Sequence, residues 1–476
     1  NVARKYEICS LDLLMELPCS EVRSPPQPGD YVFKIDPKRH KEQIFGVSEN
    51  DDGFIWIGTL TGYEETRIAA PLNVESLPMH VAIFGVTGSG KSFTMGSLIE
   101  KLSKIPIDKN QEFISYPMVI VDAHGDYIDY IQYVAEGNQL GAAGWVKRYV
   151  FPRAYLRCDI RSLGDIVEPI GINLDLIPER ELIEMIMLYY KGTLEGTELQ
   201  MECLENLFNY LKYEKYYSST NDLFIHYFND VEKALDEVAS KMGLHGATVK
   251  AVMRALRNFK LIEERYNLLS VDSELKEIDD EHTVKFVDRL TKGGGIAILD
   301  FSADGAPGVD LKTKQLVMTY VATLLFDQFV QYKMRREDRF LLFVIEEAQN
   351  FCPDRSYPVS SSLAHVKLSA IATQGRKFGL SLCLISQRPS FIDKVVLSMC
   401  NSFIIHRVSP EDVNFVRSIC GGLPKSMVNR LTKLSTGEAI ITGQILTVPF
   451  PLSVRILEKD RKIKPTLGQT DVCRSL

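Results

Sequence analysis

The sequence predicts an α/β protein with a mainly parallel sheet, preceded by a small β-region and interrupted by a block of helices. Three observations support this fold class. Continuous apolar runs, typical of strands buried on both faces, alternate with helical segments in two separate parts of the chain. A glycine-rich turn separates the first of these runs from a helix. Between the two parts, apolar residues recur every three or four positions, as they do on amphipathic helices.

Residues 1–78 are rich in turns and in short strand-like runs. The runs 31-YVFKI-35, 44-IFGVS-48 and 54-FIWIGTLTGY-63 contain many β-branched and aromatic side chains, and Pro-Gly and Asp-Asp-Gly turns lie between them. We therefore expect a small N-terminal β-barrel or sandwich over residues 1–78. The alternative is that these strands extend the sheet of the following domain.

The predicted α/β domain falls into two parts, residues 79–178 and 291–460. Its strands are the short apolar runs 81–85, 117–127, 296–302, 340–347, 380–386, 402–408 and 438–443. The run at 444–456 contains two prolines, which cannot donate to a strand ladder, so we expect an edge strand there. Residues 461–476 are predicted to form a C-terminal tail.

Residues 179–290, between the two parts, are predicted to form an all-helical insertion. The stretches 179–192, 199–217 and 247–266 carry apolar residues at the spacing of an amphipathic helix. Their charged residues are of both signs, which is typical of solvated helix faces. We therefore expect these helices to interrupt the α/β domain.

The composition limits the partners and the location. The formal net charge of −7 and the pI near 5.8 exclude a protein whose whole surface coats nucleic acid, so such a contact must be confined to a patch, a groove or a pore. Nine scattered cysteines without a C-x-x-C pair indicate reduced core thiols. No apolar run of about 18 residues and no secretory signal is evident, so we expect a cytoplasmic protein without a membrane partner.

The stretch 85-GVTGSGKS-92 matches the phosphate-binding pattern G-x-x-x-x-G-K-S at every defined position. Gly88 and Gly90 let the backbone turn so that successive N–H groups point at phosphate oxygens. Lys91 is expected to neutralise the outer phosphates, and Ser92 to supply a hydroxyl ligand to Mg²⁺. ATP and Mg²⁺ are therefore the predicted cofactors. The predicted nucleotide-binding residues are Val86, Thr87, Gly88, Ser89, Gly90, Lys91, Ser92 and Phe93.

Hydrolysis of a nucleotide also needs a carboxylate at the end of a nearby strand. The run 340-FLLFVIEEAQ-349 ends in two acids, and we expect Glu346 to hold hydrated Mg²⁺ and Glu347 to polarise the attacking water. Asp122, at the end of another apolar run, is the runner-up and a further candidate metal ligand. The alternative for each acid is that it only caps the helix that follows.

The stretch 373-TQGRKFGLSLCLISQRPS-390 adds two candidates on either side of a buried strand. Positive charge near the γ-phosphate stabilises the phosphoryl group in transfer. Arg376 can project from a subunit edge into a neighbouring site, and the alternative for it is a surface salt bridge. Gln387 is suited to sensing the γ-phosphate. Both join Lys91 and Glu347 as predicted catalytic residues.

Taken in order, these segments resemble the HerA branch of the HerA/FtsK superfamily of hexameric DNA-pumping ATPases. The resemblance covers about residues 75–456. Its segments are 80-HVAIFGVTGSGKS-92, 121-VDAHGDY-127, 345-IEEAQ-349, 375-GRKFG-379, 386-SQRP-389 and 436-TGEAIITG-443. Two positions depart from the family pattern: Met79 stands where an arginine can occur, and Gln349 stands where histidine is common.

The resemblance implies a RecA-like P-loop ATPase core, with the small barrel at its head and the helical bundle inserted into it. Six copies would form a homo-oligomeric ring around duplex DNA, with ATP between neighbours. Arg376 of one copy would then complete the site of the next, beside Lys91, Ser92 and Glu347. The resemblance also implies an effector partner, a NurA-like nuclease or another enzyme, in DNA end processing or antiphage defence.

Three uses of such an ATPase stay open at this point. The first is a translocase or helicase that moves duplex DNA, with residues 291–296 and 352–362 as candidate pore loops. The second is a ring-shaped scaffold or regulatory ATPase that organises an effector enzyme. The third is a membrane-linked pump, and the absence of a predicted transmembrane segment counts against it.

Overall fold

The structure is a computed structural model that describes residues 42–48, 51–63, 68–107, 112–279, 283–358, 362–456 and 460–463. The strands are β1 (Phe54–Ile57), β2 (Thr59–Leu60), β3 (Ala70–Asn73), β4 (Val81–Phe84), β5 (Ile105–Pro106), β6 (Phe113–Ile114), β7 (Met118–Asp122), β8 (Val146–Val150), β9 (Val167–Pro169), β10 (Ile296–Asp300), β11 (Leu341–Ile345), β12 (Leu380–Ser386), β13 (Ser402–Ile405), β14 (Glu438–Gly443) and β15 (Leu452–Arg455). The α-helices are α1 (Lys91–Leu102), α2 (Ile128–Ala135), α3 (Pro152–Tyr155), α4 (Cys158–Arg161), α5 (Glu179–Lys191), α6 (Glu198–Asn209), α7 (Thr220–Ile225), α8 (Phe228–Met242), α9 (Gly246–Tyr266), α10 (Lys285–Lys292), α11 (Leu311–Met334), α12 (His365–Phe378), α13 (Lys394–Ser398), α14 (Val413–Cys420) and α15 (Lys425–Val428).

Eleven of the described strands form one sheet in the order β2-β15-β14-β13-β4-β12-β11-β7-β10-β8-β9. The pairs from β13 to β9 are parallel, while β14, β15 and β2 pair antiparallel at one side. Every residue of the central strands β4, β7, β10, β11 and β12 is buried. The predicted α/β class with a mainly parallel sheet is therefore confirmed.

Helices cover both faces of this sheet, which explains why its strands have no polar alternation. In β11, Phe343 belongs to the hydrophobic cluster that also contains residues of α5 to α9, α11 and α12. Its neighbour Val344 belongs to the opposite cluster, which contains residues of α1 and α2. Successive side chains of a strand point to opposite faces, so a continuous apolar run is required when both faces are buried. None of the described helices is both long and apolar enough to cross a lipid bilayer.

Two strands of the main sheet, β8 and β9, were not predicted, because their sequences are not apolar runs. β8 reads Val-Lys-Arg-Tyr-Val, yet all five residues are buried. The two charges are paired across the sheet: Lys147 Nζ lies 2.9 Å from Glu168 Oε1, and Arg148 lies against Asp300. A buried charge is tolerated when it is paired, so this strand is compatible with the core although its hydropathy is low.

The N-terminal region differs in part from the prediction. The run 31–35 lies outside the described residues, and the barrel therefore stays a prediction. Residues 42–45 form a helical turn, so the strand predicted at 44–48 is wrong there. The turn buries Phe45 against Trp56, with ring centroids 6.1 Å apart. β1 pairs with β3 in a separate two-stranded sheet, whereas β2 extends the main sheet beside β15.

The helices α5 to α9 lie in sequence between β9 and β10, and α5 and α9 match the predicted stretches 179–192 and 247–266 closely. The stretch 199–217 forms α6 followed by a π-helical turn at Tyr210–Glu214. Apolar residues of these helices, such as Leu204 and Phe259, are fully buried. That these helices form an insertion typical of the family stays a prediction.

Parallel strands bring most of the predicted site residues to one edge of the sheet. The carboxyl ends of β4, β7, β11 and β12 lie side by side, because their residues pair in register. We call this the carboxyl edge and the opposite one the amino edge. The glycine-rich loop, the acid pair Glu346 and Glu347, and Gln387 follow strands at the carboxyl edge, and Asp122 ends β7 there. In open α/β sheets ligands bind in the crevice at this edge.

Candidate nucleotide-binding site

The glycine-rich loop joins β4 to α1 at the carboxyl edge. Gly88 (φ 72°) and Gly90 (φ 109°) adopt left-handed backbone conformations that favour glycine. A Cβ on Gly90 would also lie 3.2 Å from the backbone of Gly437. The loop is tied to that neighbour, since Gly437 N–H donates to Ser89 O at 3.0 Å. The conformation and the close backbone approach both explain the glycines of the motif.

Lys91 begins α1 and its side chain is largely buried under the loop. Its Nζ donates to Val86 O at 3.2 Å, so the ammonium group faces the concave side of the loop. Burial lowers the pKa of Lys91, while the carboxylates of Glu347 and Glu346 oppose that change. A cation enclosed by backbone and carboxylates at the N-terminus of a helix is suited to an anionic ligand.

A buried histidine supports the loop from behind. Thr94 Oγ1 and His406 Nε2 are 2.9 Å apart, and His406 Nδ1 lies 2.9 Å from Glu438 O. The carbonyl can only accept, so Nδ1 carries the proton and Nε2 accepts from the threonine. Burial lowers the pKa of His406 to about 4, so the ring is neutral. Sequence reasoning missed this pair, which joins residues 312 positions apart.

Glu347 follows β11 with a left-handed backbone (φ 48°), which is uncommon for a residue with a side chain. Its Oε1 accepts from Gln387 Nε2 at 2.7 Å and from His124 Nε2 at 3.2 Å. Its other oxygen accepts from Gln349. Burial would raise the pKa of Glu347, but the hydrogen bonds from His124, Gln349 and Gln387 outweigh it and lower the pKa. The carboxylate is therefore ionised and held on both oxygens.

Gln387 connects this carboxylate to the glycine-rich loop. Its Oε1 accepts from Thr87 Oγ1 at 2.6 Å, while its Nε2 donates to Glu347. The structure thus brings together four sequence-predicted residues: Thr87, Lys91, Glu347 and Gln387. A ligand that changes the hydrogen bond of Thr87 would change the surroundings of Glu347 through a single side chain.

Asp122 and Glu346 are buried acids behind the site. Asp122 Oδ1 accepts from the N–H groups of Gly125 (2.7 Å), Asp126 and His124, and Oδ2 accepts from Tyr127 N–H at 2.9 Å. The carboxylate is fully buried and shapes the turn after β7. Burial and nearby Asp300 raise its pKa to about 6 against these bonds. The predicted contact of Asp122 with Mg²⁺ stays a prediction, and this bonding does not support it.

Glu346 is nearly as enclosed, with 2% of its surface exposed. Tyr127 Oη donates to Glu346 Oε1 at 2.7 Å, and Ala123 N–H donates to Oε2 at 3.1 Å. Burial and the adjacent Asp122 raise the pKa of Glu346 well above its usual range. The expected contact between Glu346 and hydrated Mg²⁺ stays a prediction.

Arg376 lies at the amino edge, away from all these residues. It occupies the last turn of α12, which leads directly into β12. The side chain is exposed, and its guanidinium forms no hydrogen bond or ion pair with any described residue. The predicted alternative, a surface salt bridge, is therefore absent from the described part of the chain. The position of α12 is fixed by buried His80, whose Nε2 donates to Ala372 O at 2.9 Å.

The residues at the carboxyl edge fit a nucleoside triphosphate with its cation. The loop offers backbone N–H groups in a glycine-dependent curve, and Lys91 directs its ammonium group at the concave side of the loop. Ser92, partly exposed in the first turn of α1, is placed to offer a hydroxyl oxygen, a ligand type that Mg²⁺ accepts. No cluster of three or more His, Cys, Asp or Glu side chains suited to an all-protein metal site occurs in the described ranges. Mg²⁺ is usually bound through few protein ligands plus phosphates, which agrees with this arrangement.

Comparison with solved structures supports the fold. VirB4 of Thermoanaerobacter pseudethanolicus superposes with a TM-score of 0.51 at 13% identity, covering 87% of this chain and 100% of VirB4. The plasmid coupling protein TrwB in complex with ADP and Mg²⁺ gives 0.52 at 16% identity, covering 87% of this chain and 97% of TrwB. Both similarities concern the fold alone.

Comparison of sequences identifies the family. The DNA double-strand break repair helicase HerA of Pyrococcus furiosus is 24% identical over 482 residues, covering 94% of this chain and 76% of that protein. The protein of the same name from Sulfurisphaera tokodaii is 29% identical over 403 residues, covering 84% and 68%. The family described as "Helicase HerA, central domain" matches residues 55–325, more than half of the chain. With the loop geometry described above, the protein is an ATPase and belongs to the HerA helicase family.

Proposed function

We propose that this chain is one subunit of a homo-oligomeric ring, a hexamer, that uses ATP to move or unwind duplex DNA passing through a central pore. The observation that carries the proposal is the separation of Arg376 from the nucleotide site of its own chain. Phosphoryl transfer is favoured by a guanidinium close to the γ-phosphate, and the exposed guanidinium of Arg376, which has no hydrogen bond or ion pair with a described residue, lies at the opposite edge of the sheet. Two copies set edge to edge would supply each other.

The distance makes action within one chain impossible. β12 runs seven residues from Leu380 at the amino edge to Ser386, which pairs with Phe84 just before the glycine-rich loop. At the usual rise per residue this strand spans about 20 Å. An arginine side chain is much shorter than that, so Arg376 cannot reach the loop of its own subunit. In the ring we propose, it reaches the γ-phosphate bound by a neighbour.

The remaining roles follow from the geometry at the carboxyl edge. Lys91 and the loop N–H groups bind the phosphates, and Ser92 offers a ligand to Mg²⁺, which supplies charge neutralisation when bound. Glu347, held ionised by its three donors, orients and polarises water. Gln387 reports on the phosphate through Thr87. We assign Asp122 to shaping the turn after β7, and Glu346 to holding Tyr127 and Ala123 behind Glu347 by hydrogen bonds.

The surface we propose for DNA contact adjoins the loop. Residues 413–437, between β13 and β14, contain four basic side chains and no acid, in a chain whose net charge is −7. Arg417, Lys425, Arg430 and Lys433 are all exposed, and none forms an ion pair with a described residue. We call this stretch the basic connection. Exposed cations without partners are what phosphate binding requires.

The basic connection is joined to the glycine-rich loop by two contacts. Thr436 Oγ1 donates to Gly88 O at 3.2 Å, and Gly437 N–H donates to Ser89 O at 3.0 Å. Movement of the loop on nucleotide exchange would therefore displace the basic connection. The loop 291–296 is less suited to moving DNA, because Gly295 packs against Trp145.

A second candidate function is a scaffold or regulatory ATPase that organises an effector enzyme, such as a NurA-like nuclease. The names of the archaeal relatives, which refer to double-strand break repair, favour DNA end processing over antiphage defence for the proposed motor. The two functions differ in one property: a motor needs DNA-stimulated turnover, whereas a scaffold does not.

A subunit-mixing experiment tests the shared site. Lys91→Ala and Arg376→Ala are each expected to lower turnover about a thousandfold, because each removes phosphate-directed charge. Mixed in equal amounts, subunits with an intact loop meet neighbours with an intact Arg376, so a substantial fraction of the DNA-stimulated turnover returns. Mixing Arg376→Ala with Arg376→Lys, in which neither partner supplies a guanidinium, is the matched control. No recovery in the first mixture would refute the shared site, and turnover unaffected by duplex DNA would favour the scaffold.

A further inference from the structure

We propose that His124 is a positioning residue for ATP hydrolysis, which fixes the orientation of the Glu347 carboxylate. The inference rests on the proposed role of Glu347 as the carboxylate that orients water, and it adds a residue to which no role in the reaction has been given. His124 would not contact the nucleotide in this role. It would act by setting where the Glu347 oxygens point.

The contact between the two side chains is direct. His124 Nε2 lies 3.2 Å from Glu347 Oε1, the same oxygen that accepts from Gln387. The second carboxylate oxygen is taken by Gln349. The donors approach from three chain segments, one after each of β7, β11 and β12. Three donors from different directions restrict the rotation of a carboxylate more than any one of them can.

Glu347 depends on such donors because its backbone holds it in an unusual position. Its left-handed conformation turns the chain sharply between β11 and the short 3₁₀ turn Ala348–Asn350. At this turn the side chain accepts hydrogen bonds from His124, Gln349 and Gln387. Its direction is therefore set by its hydrogen bonds. A displacement of about 1 Å in placement can cost much of the rate.

The backbone of His124 is fixed as firmly as that of Glu347. Asp122 accepts the N–H groups of residues 124 to 127, which holds the turn that carries His124. β7 pairs with β11, so Val121 and Ile345 are partners and the following residues meet at the carboxyl edge. An ion pair between two flexible surface side chains would contribute little. Here the His124 ring is 54% exposed, but the backbone that carries each of the two side chains is fixed.

The alternative interpretation of the contact is an incidental surface pair, and three variants separate the two. His124→Phe keeps a ring of similar size and removes the donor. His124→Gln removes the ring and keeps an N–H donor at similar reach. His226→Phe makes the same change at an exposed histidine of the helical region, and serves as the matched control. Each variant is measured in the full chain, assembled as the wild type is.

The expected result is a division between turnover and binding. His124→Phe lowers kcat about tenfold, with KM and the affinity for a non-hydrolysable ATP analogue within twofold of wild type. His124→Gln recovers kcat to within about threefold of wild type, and His226→Phe matches it. In the Glu347→Asp background, where the carboxylate is withdrawn from the ring, His124→Phe lowers kcat less than twofold further. That non-additivity is the mark of a residue that acts through Glu347.

Three outcomes overturn the proposal. The first is a His124→Phe variant that keeps between half and all of the wild-type kcat, and the second is a rise in kcat, which would mean that His124 restrains Glu347. Equal losses in the Phe and Gln variants together with a lower melting temperature would mean a structural role, and also overturn it. Turnover by Glu347→Gln, in contrast, would refute the assigned carboxylate of the proposed function before His124 is considered.

Discussion

The two edges of the central sheet differ in how completely their polar groups are paired. At the carboxyl edge, Glu347, Gln387 and Thr87 form a continuous chain of hydrogen bonds, and Lys91 is enclosed. At the amino edge, Arg376 is exposed and has no partner among the described residues. The side chains named at the carboxyl edge are therefore paired within the chain, whereas the charge of Arg376 at the amino edge is exposed. This difference is the basis of the proposal that Arg376 acts in the nucleotide site of a second copy.

The largest effect is expected from the substitution that removes the charge of Glu347, to which the donors at the carboxyl edge bind. Glu347→Gln keeps the shape and the backbone of the site, yet it can no longer accept from three donors as an anion. We expect turnover to fall at least a thousandfold, while ATP binding and the mass of the assembly stay the same. Single-turnover hydrolysis checks the fall in turnover, and a fluorescent nucleotide titration checks that ATP binding is unchanged. Persistent hydrolysis would move the role to another acid, with Asp122 next.

Two buried histidines, one near each edge, are expected to make the stability of the protein depend on pH. His80 precedes β4 at the amino edge and His406 follows β13 at the carboxyl edge. Burial lowers the pKa of each to about 4, compared with about 6.5 in an unfolded chain. Between these values the unfolded chain binds more protons, so stability is present above pH 6.5 and is lost as the pH falls toward 4. Each ring contributes up to about 3 kcal/mol of this change.

Urea denaturation at several pH values between 7 and 4 measures that loss. His80→Gln and His406→Gln should each flatten the dependence of the unfolding free energy on pH, whatever they do to stability at pH 7. Exposed His226→Gln should leave the slope unchanged. If both buried variants keep the wild-type slope, the neutral rings assigned at the two edges are wrong.

A smaller effect is expected at the basic connection. Replacing Arg417, Lys425 and Arg430 together with Gln should weaken binding of a duplex about thirtyfold at moderate salt. The slope of log affinity against log salt should become shallower by about one for each phosphate that is no longer neutralised. The matched control removes three exposed basic residues of α9, namely Lys250, Arg254 and Arg265, and should leave the slope nearly unchanged. If the triple variant instead forms a smaller assembly and keeps the wild-type salt slope, the basic connection is an interface between subunits.

The sequence predicted the residues that lie at the ends of apolar runs. Lys91, Glu347 and Gln387 each follow a buried strand, and parallel strands bring their carboxyl ends together. The local sequence pattern therefore predicted both the strand that each residue follows and the position of that residue in the site. The same reasoning placed Arg376 before a strand, and so at the other edge.

Contacts between distant segments could not be predicted in this way. His406 supports Thr94 from 312 residues away, and Arg461 packs against α1 from the far end of the described chain. Neither has a periodic or motif signal, since only the fold brings the partners together. β8 was missed for a related reason, because Lys147 and Arg148 are buried through partners on other strands.

The smallest effect concerns the packing of Arg461 on the helix that follows the glycine-rich loop. Arg461 is 1% exposed; its guanidinium lies 5.3 Å from the ring centroid of Tyr130, and its Nη2 donates to Asp126 O at 3.0 Å. A Cβ on Gly96 would lie 2.5 Å from this guanidinium, so α1 has room for Arg461 only because residue 96 is glycine.

Gly96→Ala should therefore displace Arg461 and lower the unfolding free energy by about 1–2 kcal/mol, although alanine is the better helix former. Arg461→Ala removes the obstruction, so adding Gly96→Ala to it should be neutral or slightly stabilising. Thermal unfolding of the two single variants and the double variant completes the cycle. Simple additivity of the two changes would mean that Arg461 does not occupy the groove over Gly96, and that the carboxyl edge is held together without this side chain.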